Sequence, residues 1–168
     1  DRLHATSEDE LYEQAMIRVN EIIAKGTGCV EIKSGYGLNV GDELKMLRVI
    51  RRIKESSQIT VRSTFLGAHA VGREYAGRQS GYVDMLCEEM IPEVAKQGLA
   101  EYIDVFCDKG FFTVQETAKI LKKGLEYGML PKIHANELDV SGGVQVGIEH
   151  NAVSVDHLER ITDVEIDA

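Results

Sequence analysis

The stretch YIDVFCDKGFFTVQETAKILKKGLEYGMLPKIH, residues 102–134, decides the fold of this chain. Its first six residues, Tyr102 to Cys107, form a short β-rich run, and Leu130 to His134 form another. Between them, apolar side chains recur at helical spacing, at Val114, Ala118, Leu121 and Leu125. A helix of this length gives the crossover that parallel strand pairing requires. The stretch therefore predicts one strand–helix–strand unit of a parallel sheet.

The same alternation continues on both sides of this unit. Ser7, with Glu10 three residues later, has the capping-box spacing of a helix start, and glycines at 26 and 28 end the apolar repeat that follows. Five helices are expected, at about 7–23, 44–53, 81–96, 114–125 and 142–149. Five strands are expected, at 29–32, 59–66, 102–107, 130–134 and 152–156. The class is α/β with a parallel sheet, and residues 1–168 are expected to form a single domain, because no linker interrupts the alternation.

Charge and composition exclude several classes of partner. The 168 residues carry a formal charge of −9, and no cluster of Lys and Arg suggests a nucleic-acid or anionic membrane surface. No apolar run approaches the length of a membrane span, and the first residues lack a signal-peptide core. Three cysteines without CxxC spacing, Cys29, Cys87 and Cys107, are expected to be reduced and mostly packed. We expect a soluble, cytoplasmic protein that binds a small molecule.

Histidines mark the ends of the predicted strands. Reactive groups in parallel sheets and barrels gather at the carboxyl ends of strands, where the loops converge. Three of the five histidines, His69, His134 and His157, follow strands in this way. This placement favours a site built from imidazoles, whereas His4 and His150 are interpreted as incidental.

His134 and Glu137 are the pair of strand-end residues that most specifically suggests a catalytic site. A neutral imidazole is a good ligand for zinc or iron, and a nearby carboxylate can transfer protons. Metal-assisted hydrolysis is therefore one hypothesis. A histidine that only ends a strand, followed by a solvated glutamate, explains the same spacing equally well. His157 directly after Asp156 is, on its own, typical of an ordinary loop.

For two further segments at strand ends, the sequence is compatible both with ligand binding and with a purely structural role. The segment SGYGLNVG, residues 34–41, has glycines spaced GxGxxxG rather than GxGxxG, so a nucleotide site is not expected. Tyr36 within it could donate a hydrogen bond to a ligand, although a plain tight turn is favoured. Small residues around His69 leave room for a ligand, and a structural histidine at a barrel rim is the competing interpretation.

Four separated motifs together resemble the imidazolonepropionase family of the amidohydrolase superfamily. They are EIKSGYGL at 31–38, FLGAHA at 65–70, KIHANE at 132–137 and VDHL at 155–158, and they cover essentially the whole chain. The resemblance implies a metal-bearing (β/α) barrel, of which this chain would supply five of eight units, strands two to six. It also implies the hydrolysis of 4-imidazolone-5-propanoate to N-formimino-L-glutamate in histidine degradation.

The resemblance assigns roles to individual residues. His134 matches the family's metal ligand on strand five, for zinc or iron. Glu137 matches the carboxylate that contacts the imidazolone ring and handles protons, and His157 matches the histidine beside the catalytic water. Tyr36 and His69 match positions that contact the substrate.

Departures from the family pattern limit these expectations. The chain has no His-x-His motif, which supplies two metal ligands in the family, and the aspartate ligand of strand eight would lie beyond Ala168. Gly72 and Asn136 stand where the family has Pro and Asp. With one expected ligand of four, His134 should bind metal weakly, because a zinc site normally needs three or four ligands. The chain is expected to be an inactive fragment of a longer enzyme.

A partial barrel also has consequences for assembly. Five strands cannot close, which leaves two strand edges and an apolar rim, so a homodimer or other self-association is expected. Two alternative functions remain from the sequence. One is another cyclic-amide hydrolase or deaminase, and the other is a non-catalytic half-barrel interaction module.

Overall fold

The computed structural model describes residues 2–168 and contains one five-stranded sheet. All strands are parallel and follow each other in chain order. Their bounds are β1 Cys29–Lys33, β2 Thr60–Ala68, β3 Tyr102–Cys107, β4 Leu130–Ala135 and β5 Ser154–His157. The α/β class and the partial barrel predicted from the sequence are thereby confirmed. In this part of the chain β1 and β5 each pair on one side only, and they form the two edges.

Helices connect the strands. They are α1 Arg2–Ala5, α2 Glu8–Ala24, α3 Val40–Ser56, α4 Gln79–Met85, α5 Ile91–Lys96, α6 Val114–Glu126, α7 Gly143–Glu149 and α8 Asp163–Ile166, with a 3₁₀ turn at Arg73–Tyr75. The two shortest, α1 and α8, were not predicted, because four residues are too few to show a helical repeat. No helix within residues 2–168 is long and apolar enough to cross a bilayer.

The predicted helix over 81–96 is one continuous rod with a π-helical segment in its middle. The segment Leu86–Met90 separates α4 from α5. Pro92 lies in the first turn of α5. It has no amide hydrogen for an i→i−4 bond, and its ring would clash with the carbonyl of Glu88 in a regular α-helix. The helix widens by one residue per turn just before the proline, a local distortion that periodicity alone does not predict.

Only one of the two hydrogen bonds of the capping box predicted for α2 is present. The Ser7 hydroxyl accepts a hydrogen bond from the amide of Glu10 at 3.2 Å. The Glu10 carboxylate accepts from Gln14 at 3.0 Å. Complete reciprocal boxes occur at the start of α6, between Thr113 and Glu116, and at the start of α8, between Thr162 and Glu165. Helix α6, part of the unit that decides the fold, therefore begins with two of its amide donors satisfied.

One face of the sheet, which we call the outer face, packs against the helices. Ile103, Val105 and Ile133 point to this side and are fully buried. Gly124 of α6 allows the helix to approach β3 closely, since a Cβ there would lie 2.5 Å from a methyl of Ile103. Two of the three free cysteines, Cys87 and Cys107, are buried in this layer, whereas Cys29 is exposed.

The opposite, inner face is concave and polar. Lys33 on the edge strand β1 reaches across it to Asp156 on the other edge strand, β5, with 2.8 Å between Nζ and Oδ2. Lys132 on β4 likewise reaches Glu31 on β1, at 2.7 Å. Because side chains from the first and last strands meet, the sheet is curled into half of a barrel.

Candidate active site

Five charged residues line the inner face, and we call them the charged layer. They alternate along the strands with the buried residues of the outer face, as a period of two requires. Lys33 lies 2.8 Å from Asp104 as well as from Asp156. The members are Glu31, Lys33, Asp104, Lys132 and Asp156. A packed barrel interior is usually filled with branched apolar residues, so these charges indicate a site.

Ion pairing within the charged layer favours the ionised forms of Lys33 and Asp156. Burial alone would lower the pKa of Lys33, but the charge of Asp104 and hydrogen bonds to Asp104 and Asp156 raise that pKa above its ordinary value. Burial alone would raise the pKa of Asp156, but its hydrogen bond to Lys33 and the charges of Lys33 and Lys132 lower it. The layer has three carboxylates and two ammonium groups, and it therefore carries an excess negative charge beneath His134.

His134 stands at the end of β4, directly above this layer. Its Nδ1 lies 3.0 Å from Oδ1 of Asp104, whose side chain is completely buried. Because a carboxylate accepts, the imidazole donates from Nδ1 and keeps a lone pair on Nε2. A carboxylate partner of this kind is typical of histidines that bind metals.

Three of these side chains could hold a metal ion. Asp104, His134 and Asp156 each offer one ligand atom, and these atoms lie within 4.8 Å of one another. The ammonium of Lys33 already lies between the two carboxylates and competes with a cation there. Within this group, Nε2 of His134 is therefore the ligand atom most open to a metal ion.

Glu137 and His157 meet beside His134. Nε2 of His157 lies 3.4 Å from a carboxylate oxygen of Glu137, and the rings of His134 and His157 are 5.0 Å apart. His157 and Leu158 both adopt left-handed backbone angles, with φ of 81° and 68°. Non-glycine residues seldom do so, and such strain is concentrated at functional sites.

Tyr36 and His69 occupy the other side of the same face. Their rings are 5.2 Å apart and nearly perpendicular. Nδ1 of His69 lies 3.1 Å from the carbonyl oxygen of Gly35, and because a carbonyl only accepts, Nε2 of His69 remains free to accept from a ligand. Phe106 lies between the two sides, with its ring 6.0 Å from both His69 and His134.

Glu43, which the sequence did not suggest, holds the loop that presents Tyr36. Its carboxylate is buried and accepts hydrogen bonds from the amides of Gly35, Gly37 and Leu38, at 2.6 to 3.2 Å. Burial raises the pKa of Glu43, and the backbone donors oppose that rise. The Tyr36 side chain itself is exposed, so a ligand has free access to it.

The five residues singled out from the sequence therefore lie on one face, at the carboxyl ends of the strands. Tyr36 and His69 make one contact group, and His134, Glu137 and His157 make another. His4 and His150 were taken as incidental, and of these His4 lines a surface cleft together with Tyr36. His4 binds Asp42 at the start of α3, and His150 caps the end of α7 through the carbonyl of Val146.

Comparison with known proteins gives a consistent set of relatives. No family model matches the chain. The imidazolonepropionase of Christiangramia forsetii is 52% identical over 165 residues, 98% of this chain and 40% of the relative. That of Flavobacterium johnsoniae is 50% identical over 167 residues, 99% of the chain and 41% of the relative. That of Brevibacillus brevis is 46% identical over 159 residues, which are 95% of the chain and 38% of the relative. The chain thus spans about 40% of the length of these curated relatives.

Proposed function

This chain belongs to the imidazolonepropionase family, and we propose that it carries the substrate and proton-transfer side of a site that hydrolyses the cyclic amide of 4-imidazolone-5-propanoate to N-formimino-L-glutamate. The grouping of Glu137, His157 and His134 carries this proposal. Nε2 of His157 lies 3.4 Å from the Glu137 carboxylate, and the rings of His134 and His157 are 5.0 Å apart. This grouping supports roles in proton transfer, water orientation and metal binding. Tyr36 contacts His69, and the ring of Phe106 lies 6.0 Å from both His69 and His134.

Each residue has a distinct task in this proposal. Glu137 takes a proton from the attacking water and passes it to the ring nitrogen that leaves when the amide bond breaks. His157, in contact with Glu137, orients the attacking water toward the ring carbonyl. Tyr36 and the free Nε2 of His69 hold the substrate at the far side, and such positioning lowers the barrier by several kcal/mol. Phe106, between the two groups, supplies a flat apolar wall for a planar ring.

We further propose that His134 binds zinc or iron through Nε2, with Asp104 fixing its orientation. A bound metal lowers the pKa of water and polarises a carbonyl. His134 would be one ligand of several, and the rest would come from parts of a longer protein. On this account the 168 residues alone are inactive and bind metal weakly.

A segment exchange tests the proposed activity. The matched part of the Christiangramia forsetii relative is replaced by this chain, and the loss of 4-imidazolone-5-propanoate is followed in the hybrid and in the unmodified relative. We expect turnover by the hybrid and none by the isolated chain. Glu137→Gln should lower kcat of the hybrid by about 10²- to 10⁴-fold, because an amide cannot supply the proton.

Glu126→Gln is the matched control. Glu126 is an exposed residue at the end of α6 and lies 3.3 Å from the ammonium of Lys123. It should leave kcat within about threefold, since exposed pairs contribute little. A stable, metal-loaded hybrid without turnover would contradict the proposal. Turnover of a different cyclic amide by that hybrid would support the alternative of another amidohydrolase, and no turnover of any ring would support a non-catalytic half barrel.

The remaining expectations concern organisation. We propose that residues 1–168 form part of one barrel domain of a cytoplasmic protein whose partner is a small molecule. We also propose that the isolated chain self-associates, because Val153, Val164 and Ile166 near the β5 edge are all exposed and β1 and β5 each pair on one side only. Light-scattering chromatography should give the mass of a dimer or larger species, and a sharp monomer peak would contradict this.

A further inference from the structure

A buried carboxylate at the end of β3 holds the loop that presents Glu137. Asp108 follows Cys107, the last residue of β3, and only 4% of its surface is exposed. Its Oδ2 accepts hydrogen bonds from the amides of Glu137 at 2.9 Å and Leu138 at 3.0 Å. Its Oδ1 accepts from the amide of Asp139 at 3.2 Å. Three successive amides of one loop therefore converge on one side chain of the neighbouring strand.

The remaining lone pairs of this carboxylate are also used. Oδ1 accepts from the amide of Lys109 at 2.7 Å, while the ammonium of Lys109 pairs with Asp139 at 2.8 Å. The charge of Asp108 is thus met by oriented backbone amides, which act as fixed partial positive charges. Hydrogen bonds to an ionised acceptor are about twice as strong as neutral ones.

The loop depends on these bonds for its shape. It leaves β4 through Asn136, which adopts a left-handed φ of 55° and turns the chain back toward β3. Ser141 closes the loop by donating to the carbonyl oxygen of Cys107 at 2.7 Å. Without the Asp108 carboxylate, the part-buried amides of Glu137, Leu138 and Asp139 would lose their shared acceptor, and an amide left without a partner costs up to about 1–3 kcal/mol.

We propose that Asp108 is a positioning residue that acts through Glu137, and this inference rests on the proton-transfer role given to Glu137 above. Asp108 fixes the Glu137 backbone, and the side chain then reaches Nε2 of His157 at 3.4 Å. The carboxylate of Asp108 does not itself meet the substrate, since its oxygens face the backbone of the loop. A shift of about 1 Å in Glu137 is enough to lower a rate about 100-fold.

The first test is amide hydrogen exchange on the unaltered chain, followed by nuclear magnetic resonance. The amides of residues 137–139 should exchange at least about 100-fold more slowly than the random-coil rate, because their partner is a buried acceptor. In the D108N variant the same amides should exchange at least about 10-fold faster. The side-chain NH2 of Asn is itself a donor, so it cannot accept hydrogen bonds from the loop amides as the second carboxylate oxygen does. Random-coil exchange in the unaltered chain would overturn the proposal without the need for a folded variant.

The second test uses kinetics in the segment-exchange hybrid. D108N should lower kcat at least about 10-fold with KM within about threefold, and the D108N/E137Q double variant should be no slower than E137Q alone. A residue that merely stabilises the fold would instead add its effect to that of E137Q. The control D139N removes the exposed Lys109–Asp139 pair from the same loop and should leave kcat within about twofold.

The outcomes separate this inference from the proposed function. If E137Q leaves kcat unchanged, the role of Glu137 is wrong, and a positioning role for Asp108 is overturned with it even where the exchange results hold. If E137Q lowers kcat but D108N does not, or if their effects add, the inference is wrong while the proposed function stands.

Discussion

The two faces of the sheet are built from the same strands but from opposite kinds of residue. On the outer face Ile103, Val105 and Ile133 are fully buried against helices. On the inner face their neighbours along the chain include Asp104 and Lys132, which form ion pairs across the open half of the barrel. The outer face loses its water on packing and stabilises the fold. The inner face holds charged groups partly out of bulk water, and their desolvation costs free energy. We therefore attribute these charges to function rather than to stability.

The largest expected effect comes from a cavity in the outer face. Ile133→Ala removes three buried carbons between β4 and the helices, and it should lower the free energy of unfolding by about 3 kcal/mol. Chemical denaturation monitored by circular dichroism measures this. Ile148→Ala, on exposed α7 surface, is the control and should cost less than about 1 kcal/mol. Equal losses would show that the outer face is not the core we describe.

The next effect comes from a charged group in the helical layer. Hydrogen bonds from Asn39, Lys45 and His4 and the charge of Lys45 lower the pKa of Asp42 to about 2, although burial acts in the opposite direction. Because the folded pKa lies below the unfolded value of about 3.8, Asp42 stabilises the fold above pH 4, and this contribution is lost as the pH falls toward 2.

Asp42 is nearly buried, so the contribution is at most about 2 kcal/mol. Unfolding free energies measured between pH 6 and pH 2.5 should fall less steeply in Asp42→Asn than in the unaltered chain. Parallel curves would mean that Asp42 titrates normally in the folded state.

A smaller effect is expected on the inner face. Asp104→Asn keeps the shape but weakens the bonds to Lys33 and His134, and it should cost about 1.5 kcal/mol. The loss is limited because Lys33 keeps Asp156 as a partner. A loss as large as that of Ile133→Ala would mean that the charged layer stabilises the fold as much as the apolar layer does. Thermal unfolding of the two variants side by side makes the comparison.

The sequence predicts the helices and strands well because their signals are local. Helical repeats such as that from Val114 to Leu125 lie within one element, and so does the spacing of Gly26 and Gly28 after α2. The π-helical segment before Pro92 was missed, since a proline in that position predicts a disruption but not its form. The complete capping box at Thr113 was open to the same reasoning that identified Ser7.

Candidate site residues were predictable only at the ends of strands. Motif and position coincide there, which singled out Tyr36, His69, His134, Glu137 and His157. The charged layer was missed because its contacts join distant parts of the chain, and Lys33 and Asp156 are 123 residues apart. A usable signal existed: Glu31 and Lys33 alternate with apolar residues within β1, which indicates a strand with one polar face turned toward an interior. Glu43 and Asp108 bind backbone amides and leave no spacing to detect.

The measurement that tests the contrast between the faces most directly is apolar replacement of the Lys33–Asp104 ion pair on the inner face. The double variant Lys33→Met/Asp104→Leu is made in this chain for stability and in the segment-exchange hybrid for turnover. We expect an unfolding free energy within about 1 kcal/mol of the unaltered chain, because apolar replacement of a buried pair is often neutral. We also expect that turnover falls at least about 10- to 100-fold, because His134 loses the carboxylate that orients it. A loss of about 3 kcal/mol or more in stability with turnover unchanged would contradict the account.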